Sequence, residues 1–263
     1  MTSLNNRAKR QLEKGALSIG LGLRMTRTVE IGRLLETAGY DWAFIDMEHN
    51  SMSIDTAVQI AVACQDANVT PLVRVPGYEH YLATRVLDAG AMGIVFPHVD
   101  TAEHAAELVS FCKYPPMGHR SAAGNMAQLN FKAVPQTEAC EVVNRETLVV
   151  IMLETPKAIA NAAEIAAVPG VDVLLVGSND LCMEMGIPGQ FDNPKLEAAL
   201  ETVLEACRKH GKHPGYGGVY DNTLSTRFIQ MGMRFVLAGG DLPLFMKAAG
   251  ERAAFLRDIK LEK

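Results

Sequence analysis

Short apolar runs alternate with amphipathic segments along most of the 263-residue chain. The runs are rich in Val, Ile and Leu and are bounded by turn-forming residues, which is typical of strands buried on both faces of a parallel sheet. Seven runs are clear, and they predict strands at Leu17–Leu23, Trp42–Asp46, Leu72–Val75, Gly93–Pro97, Leu148–Leu153, Val173–Gly177 and Phe235–Ala238.

The segments between these runs have the spacing of helices with one buried face. Pro194 suits the first turn of one such helix, and several of the segments end at Gly or Asn. They predict helices at Thr28–Ala38, Ile54–Asp66, Tyr78–Ala89, Thr101–Cys112, Pro156–Val168, Lys195–His210, Asn222–Met231 and about 242–261.

This alternation, without a Gly-rich dinucleotide-binding turn, predicts a single α/β domain over residues 1–263, a (β/α)8 TIM barrel. Closing the barrel requires an eighth strand. We expect that strand around Gly118–Ser121, where it would be the fifth in the chain. An open doubly wound sheet is the alternative fold.

Composition narrows the classes of partner and the compartment. A net charge of −5 with scattered Lys and Arg argues against nucleic acid or an anionic membrane surface. Five cysteines without a CxxC pair favour reduced thiols over a disulfide framework. Met1 to Lys14 lacks the apolar core of a signal peptide, and no apolar run reaches the roughly 18 residues of a membrane span. We therefore expect a cytoplasmic protein.

Ionisable residues follow the predicted strands on what would be one rim of the barrel, where barrel enzymes place their active sites. Taken singly, each has an ordinary explanation: Asp180 as a helix N-cap, Arg74 as an ion pair with Asp46, and His49 as a loop histidine. Independent structural roles would not require convergence on one rim, so the set favours a functional site. Its members are Asp46, Glu48, His49, Arg74, His98, Glu154 and Asp180.

The two carboxylates Glu154 and Asp180 suit a divalent metal with open coordination positions, such as Mg²⁺, Mn²⁺ or Co²⁺. The metal would chelate a 2-oxo acid and act as a Lewis acid toward its enolate. Arg74 would add positive charge at the keto oxygen, and His49, held by Asp46, would act as acid and base.

No lysine lies at the end of a predicted strand. Lys157 follows Glu154 by three residues, in the context of a helix start. A Schiff-base mechanism is therefore disfavoured.

Several segments resemble the HpcH/HpaI family of class II, metal-dependent aldolases, which act on pyruvate and related 2-oxo acids. The resemblance covers about residues 15–245 in the same order. It rests on residues 38–49, 71–76, 87–99 and 113–121, on the Glu of Leu-Glu-Thr (153–155) and on the Asp of Gly-Ser-Asn-Asp-Leu (177–181).

The resemblance implies a barrel whose C-terminal helix, about residues 242–263, packs on a neighbouring subunit, commonly in a hexamer built as a trimer of dimers. It implies no nucleotide cofactor, and it suggests a role for each residue of the rim. Glu154 and Asp180 would bind the metal, Arg74 the keto oxygen, and His49 with Asp46 would form the acid/base pair. Backbone N–H groups around Gly177, Ser178, Asn179 and Asp180 would bind the substrate carboxylate, and Glu48 would contact the metal through water.

Two positions depart from the family pattern. Met152 stands where many members have Gln, and Leu23, followed by Arg24, stands where many have Trp. We expect Met152 and Leu23 to line the substrate pocket. Arg24 would either recognise a second anionic group or only cover the rim.

The favoured hypothesis is a divalent-metal-dependent aldolase that reversibly cleaves a 4-hydroxy-2-oxo acid to pyruvate, or a related 2-oxo acid, and an aldehyde. The alternatives on the same barrel are an acyl-CoA lyase of the malyl or citramalyl type and an oxaloacetate decarboxylase. An alternative of another class is a non-catalytic 2-oxo acid-binding protein, although pure binding would not need the acid/base pair.

Overall fold

Eight parallel strands close into a barrel in chain order in the computed structural model, which describes residues 4–261. Each strand pairs with its neighbour in the chain, and the last pairs with the first. The TIM barrel is thereby confirmed, and the open sheet is excluded. The strands are β1 (Ser18–Leu23), β2 (Trp42–Asp46), β3 (Thr70–Arg74), β4 (Gly93–Phe96), β5 (Leu148–Leu153), β6 (Val173–Gly177), β7 (His213–Gly217) and β8 (Phe235–Gly240).

Helices surround the barrel, and all eight predicted helical segments are helical over most of their length. Three further helices, α1, α6 and α9, have no counterpart in the sequence prediction. The helices are α1 (Arg7–Glu13), α2 (Ile31–Thr37), α3 (Ile54–Asp66), α4 (His80–Asp88), α5 (Ala102–Cys112), α6 (Gln136–Glu146), α7 (Pro156–Ala160), α8 (Ala162–Ala167), α9 (Ser178–Glu184), α10 (Pro194–His210), α11 (Asn222–Met231) and α12 (Asp241–Arg257).

The prediction of a strand around Gly118–Ser121 is wrong. That segment is a loop between α5 and α6, in which the Arg120 guanidinium is buried and lies 2.6 Å from the Asp88 carboxylate. The missing strand is β7, between α10 and α11. Glu154 and Asp180 consequently follow the fifth and sixth strands rather than the sixth and seventh.

Side chains alternate between the inside of the barrel and the layer against the helices, as the two-residue period of a strand requires. In β2, Trp42 and Phe44 point inward, whereas Ala43 and Ile45 pack toward the helices. In β5 the inward set includes Met152, and the next inward position is Glu154. The alternation therefore determines which side chains reach the mouth of the barrel.

The N-terminal helix α1 closes the end of the barrel at which the strands begin. Its residues Ala8 and Leu12 pack on the inward-facing cluster that contains Trp42. The Ala8 N–H donates to the Thr70 hydroxyl at 3.0 Å, which ties the helix to the start of β3. The opposite end, where the strands have their C-termini, is therefore the open one.

The C-terminal helix α12 leaves the barrel after β8 and lies largely exposed. Asp241 is its only buried residue. The predicted helix is confirmed between Asp241 and Arg257; residues 262–263 lie outside the described part of the chain. Its exposed apolar side chains include Leu242, Leu244, Phe245, Met246, Phe255 and Leu256.

The five cysteines are free thiols, and four of them are buried. Burial raises the pKa of Cys64, Cys112 and Cys207 to about 12, so these thiols are not activated nucleophiles. No helix within residues 4–261 is long and apolar enough to cross a membrane.

The Asp241 carboxylate anchors the loop that follows β1. It accepts hydrogen bonds from the backbone N–H groups of Arg24 and Met25 at 3.0 Å and of Thr26 at 2.7 Å. Burial raises the pKa of Asp241, but these donors lower it by more, so the net pKa lies below its ordinary value.

We predict that Asp241→Asn lowers the free energy of unfolding by about 1–3 kcal/mol at neutral pH, because a charged acceptor of several hydrogen bonds is lost. The folded-state pKa is depressed, so this stabilisation is present above the unfolded value of about 4 and disappears as the pH falls through the folded one. Urea unfolding of both proteins at pH 7 and near pH 3 should show the difference shrinking with acid. Asp192→Asn, at an exposed loop position, is the matched control. An equal loss in both variants would contradict the prediction.

Candidate active site

A cavity of about 250 Å³ opens at the C-terminal end of the barrel, and residues at or just beyond the ends of seven strands line it. Most of the site residues predicted from the sequence meet there. Those that line the cavity are Asp46, His49, Arg74, Met152, Glu154, Gly177, Ser178, Asn179 and Asp180.

Asp46 and Arg74 form a buried, two-pronged ion pair at this rim. They are partners in the β2–β3 register, and Arg74 donates from Nε to Asp46 Oδ1 at 3.0 Å and from Nη2 to Oδ2 at 2.8 Å. Arg74 Nη1 also lies 2.8 Å from Glu48 Oε2, and the guanidinium sits over the Phe44 ring at 5.1 Å. The guanidinium plane is therefore held firmly, while two of its five N–H groups stay free of these carboxylates.

The pKa of the Asp46 carboxylate lies below its ordinary value, so the group is ionised at neutral pH. Burial raises its pKa, but the hydrogen bonds and charge of Arg74, with the backbone N–H groups of His49 and Glu48, lower it by more. Asp46 is thus a fixed negative charge that orients its neighbours, and it is poorly suited to accept a proton itself.

His49 lines the cavity, but its ring does not contact the Asp46 carboxylate. Its backbone N–H donates to Asp46 Oδ1 at 3.3 Å, but within residues 4–261 no contact joins its ring to the Asp46 carboxylate, which Arg74 occupies. The ring is half-exposed, with Nε2 3.7 Å from Glu48 Oε2. The predicted Asp46–His49 acid/base pair therefore becomes a His49 ring beside Glu48.

Glu154 is almost fully buried at the end of β5, with 1 % of its surface exposed. One carboxylate oxygen, Oε2, accepts the backbone N–H of His98 at 2.8 Å. Burial raises the pKa of Glu154 to about 7, assisted by the charge of Asp180 and opposed by the His98 N–H. A second carboxylate beside a buried one is an arrangement that a cation would stabilise.

The other oxygen, Oε1, lies against Gly177. Leu153 pairs with Val176 in the β5–β6 register, so Glu154 stands beside Gly177. A Cβ at Gly177 would come within 2.6 Å of both Cγ and Oε1 of Glu154. Only glycine leaves room for the carboxylate here, and Asp180 follows within the first turn of α9.

His98 is a site residue to which sequence reasoning gave no role. Its ring links two acidic side chains: Nδ1 lies 3.2 Å from Glu154 Oε2, and Nε2 lies 3.4 Å from Glu48 Oε1. Its backbone is left-handed, with φ 52°, and its carbonyl accepts the Tyr78 hydroxyl at 2.9 Å. The signal was its place directly after a buried strand. Glu48 does not line the cavity; it connects Arg74 to His98.

Leu23 does not line the cavity, contrary to the sequence-based expectation. Its side chain is fully buried between the barrel and the helices. Alternation along β1 sends Leu21 and Leu23 outward, and it brings Gly22 and Arg24 to the cavity wall. Arg24, directly after the end of β1, therefore faces the site.

The missed strand β7 supplies a further part of the wall. Gly217 and Gly218 line the cavity, and so does Tyr220 just beyond them. Sequence reasoning could have found this segment from spacing, because α10 and α11 are consecutive helices and a βα barrel requires a strand between them.

The donor set fits an open site for a hard divalent cation. Within residues 4–261 no group of three or more His, Cys, Asp or Glu side chains is arranged to hold a metal. Glu154 and Asp180 offer two carboxylates at the edge of a cavity, and the groove against Gly177 leaves space for Oε1. Two oxygen ligands with the remaining positions open suit Mg²⁺ or Mn²⁺, which retain water or bind substrate oxygens.

The comparison with known families agrees with this geometry. Residues 28–248 match the model of the HpcH/HpaI aldolase/citrate lyase family. The chain belongs to this family. Family members of class II are generally dependent on a divalent metal.

Characterised relatives of this HpcH/HpaI protein cleave hydroxy-oxo acids. A 4-hydroxy-4-methyl-2-oxoglutarate aldolase of Hapsidospora irregularis is 40 % identical and covers 100 % of this chain and 99 % of its own. A hydroxypyruvate/pyruvate aldolase of Cupriavidus necator is 33 % identical, covering 97 % of this chain and 93 % of its own. The crystal structure of an HpcH/HpaI aldolase from Desulfitobacterium hafniense has a TM-score of 0.92 at 28 % identity and covers 97 % of this chain and 98 % of its own. These relatives make the protein a carbon–carbon lyase of the class II aldolase type.

We predict that Gly177→Ala weakens binding of Mg²⁺ or Mn²⁺ by about 10- to 100-fold, because the new Cβ displaces the Glu154 carboxylate. Titration calorimetry measures the affinity without any turnover. Gly240→Ala is the matched control: it lines the same cavity, but its Cβ would meet Pro243 at 3.4 Å and Gly22 O at 3.7 Å, which are ordinary contacts. Equal affinity in both variants would show that Glu154 does not bind the ion.

Proposed function

We propose that this protein is a divalent-metal-dependent aldolase that cleaves a 4-hydroxy-2-oxo acid to pyruvate, or a related 2-oxo acid, and a carbonyl compound, and that it also runs the reverse addition. The observation that carries the proposal is the meeting of Glu154, Asp180 and Arg74 in one cavity at the catalytic end of an HpcH/HpaI barrel. The two carboxylates attract the cation, and Arg74 adds a fixed positive charge beside it.

Glu154 and Asp180 would hold the metal, which we propose to be Mg²⁺, Mn²⁺ or Co²⁺. When bound, the ion would supply Lewis-acid polarisation of a substrate oxygen. Glu154 is suited to this role because His98 holds Oε2, which leaves Oε1 beside the open cavity next to Gly177.

Arg74 is assigned to the keto oxygen of the 2-oxo acid. Asp46 and Glu48 fix its guanidinium, and its remaining N–H groups can donate to an oxygen that gains negative charge as the enolate forms. Because the guanidinium is already ordered, little conformational entropy is lost when the substrate binds.

The donor carboxylate is assigned to the backbone N–H groups of Ser178, Asn179 and Asp180, whose residues line the cavity. Met152 lies on the same wall and gives the donor an apolar surface rather than a hydrogen bond.

His49 is assigned to proton transfer at the 4-hydroxyl. In cleavage the hydroxyl loses its proton to the ring, directly or through water, the C3–C4 bond breaks, and C4 becomes a carbonyl carbon. The electron pair of that bond forms the enolate, and protonation at C3 then yields pyruvate. The ring is half-exposed at the cavity and is held at the backbone by Asp46, so it can approach a substrate hydroxyl.

We also propose that α12 packs against a second copy of the chain in a homo-oligomer, a hexamer built from dimers by resemblance to the family. The helix has one buried residue in the single chain and a run of exposed Leu, Met and Phe side chains. Many large exposed apolar side chains on one helix are typical of a protein interface.

We predict that the protein cleaves a 4-hydroxy-2-oxo acid in the presence of Mg²⁺, Mn²⁺ or Co²⁺ and stops when EDTA is added. Glu154→Gln and Asp180→Asn should each lose more than about 100-fold in kcat/KM, since even the loss of an outer partner costs 10- to 100-fold. Pyruvate release coupled to NADH oxidation gives the rate. Glu164→Gln, an exposed change on α8, is the control. EDTA-resistant cleavage, or full activity in both variants, would overturn the assignment.

A separate prediction concerns assembly. Phe245→Glu with Phe255→Glu should shift the protein to a smaller species, because two charges on the exposed face of α12 would have to be buried. Light scattering after size-exclusion chromatography measures the mass. Lys247→Glu introduces the same negative charge at an exposed position of this helix that is already charged, and it should leave the mass unchanged. A wild-type monomer would contradict the proposal.

A further inference from the structure

Arg24 is a cavity-lining cation whose neighbouring acid, Asp46, is already engaged by Arg74. Asp46 is matched by Arg74 through two hydrogen bonds, and a divalent ion would neutralise Glu154 and Asp180. Among the cavity-lining acids of residues 4–261, Asp46 is the one within ion-pair distance of Arg24, and both of its oxygens already accept from Arg74.

The contacts of Arg24 leave much of its guanidinium free. Nη2 donates to the His49 carbonyl at 2.9 Å, and Nε lies 3.6 Å from Asp46 Oδ2, beyond hydrogen-bond distance. The side chain is about half exposed. A guanidinium offers five N–H donors in a planar fork that matches a carboxylate, so most of that capacity is available to a ligand.

The backbone of Arg24 is held by the Asp241 carboxylate. Its backbone N–H donates to Asp241 Oδ1 at 3.0 Å, and the next two amides donate to the same carboxylate. The guanidinium also contacts the backbone of His49, the residue assigned to the 4-hydroxyl. It therefore stands on the side of the cavity where the acceptor half of the substrate is handled.

Gly22 lies on the cavity wall near Arg24. Two positions earlier on the same face of β1, Gly22 has no side chain, and the nearest atoms to a Cβ there would be Gly239 O at 3.3 Å, Gly240 Cα at 3.7 Å and Leu237 Cδ1 at 3.9 Å. Gly22, Gly239 and Gly240 thus present backbone to the cavity beside Arg24.

From this geometry we infer that Arg24 binds a carboxylate on the acceptor, so that the carbonyl compound used in the addition is itself an acid, such as a 2-oxo acid or an oxo-carboxylic aldehyde. The inference rests on the proposed aldolase function and identifies its acceptor class. Arg24 determines specificity, and donor activation belongs to Arg74 and the carboxylates.

The test compares two acceptors of similar size with pyruvate and Mg²⁺. Glyoxylate carries a carboxylate next to its aldehyde, and glycolaldehyde carries a hydroxymethyl group there. Loss of a charged hydrogen bond predicts that Arg24→Met lowers kcat/KM for glyoxylate by about 10- to 100-fold, against less than about threefold for glycolaldehyde. Arg24→Lys keeps the charge without the fork and should fall between wild type and Arg24→Met.

Lys157→Met is the matched control, since it removes one positive charge from the same end of the barrel at a residue that does not line the cavity. This variant should keep the wild-type ratio of kcat/KM for glyoxylate to kcat/KM for glycolaldehyde. Equal loss for both acceptors in Arg24→Met, or no loss for glyoxylate, overturns the inference. So does a raised KM for pyruvate as the sole effect, because Arg24 would then bind the donor.

Exchange of the pyruvate methyl protons with deuterium, followed by NMR, separates this inference from the proposed function. Absence of exchange in the wild type with each of Mg²⁺, Mn²⁺ and Co²⁺ overturns the aldolase proposal and the inference with it. Exchange in the wild type, combined with an unchanged acceptor ratio in Arg24→Met, overturns the inference alone.

Discussion

The site depends on the ion pair between Asp46 and Arg74, which stand opposite each other at the last paired position of β2 and β3. Both are buried, so each needs the other: removal of one partner from such a pair costs about 3–5 kcal/mol. The pair also organises its surroundings. Asp46 Oδ1 accepts the backbone N–H groups of Glu48 and His49, and Arg74 holds the Glu48 carboxylate. Glu48 in turn contacts His98, which holds Glu154. One chain of charged contacts therefore runs from β2 to the candidate metal ligand on β5.

Much of this arrangement is predictable because a parallel barrel is dry on both faces of its strands. Charged residues are excluded from the strand interiors and collect at the ends, so Asp46, Arg74, Glu154 and Asp180 could be recognised from their positions after apolar runs. Which of two neighbours faces the cavity follows from alternation. The same rule places Leu23 against the helices, contrary to the prediction that it lines the pocket, because Arg24 faces the cavity and neighbouring residues point to opposite sides.

Three features could not be predicted from the pattern of apolar residues. Asp46 contacts His49 through the backbone N–H rather than the ring, because Arg74 donates to both carboxylate oxygens and two backbone N–H groups also donate to Oδ1. This competition for one carboxylate depends on the three-dimensional arrangement. Helix α1 is recognisable only once the open lower end of the barrel is seen to need a cover. The bridging role of His98 requires its left-handed backbone, which turns both its N–H and its ring toward Glu154.

The strand β7 was missed for a reason that concerns the site itself. The cavity has two unlike halves: β2, β3, β5 and β6 bring charged side chains, whereas β1, β7 and β8 bring mainly glycines. A Cβ at Gly217 would press on Leu237 at 3.2 Å, and Gly218 adopts φ 92° with its Cβ position 2.7 Å from the Asn179 amide. Backbone rather than side chain must form this wall if a second reactant is to fit beside the first. β1 and β8 keep enough Ile, Leu, Val and Phe beside their glycines to be recognised as strands. β7 consists of His, Pro, Tyr and two glycines, so it lacks the apolar run by which strands are found.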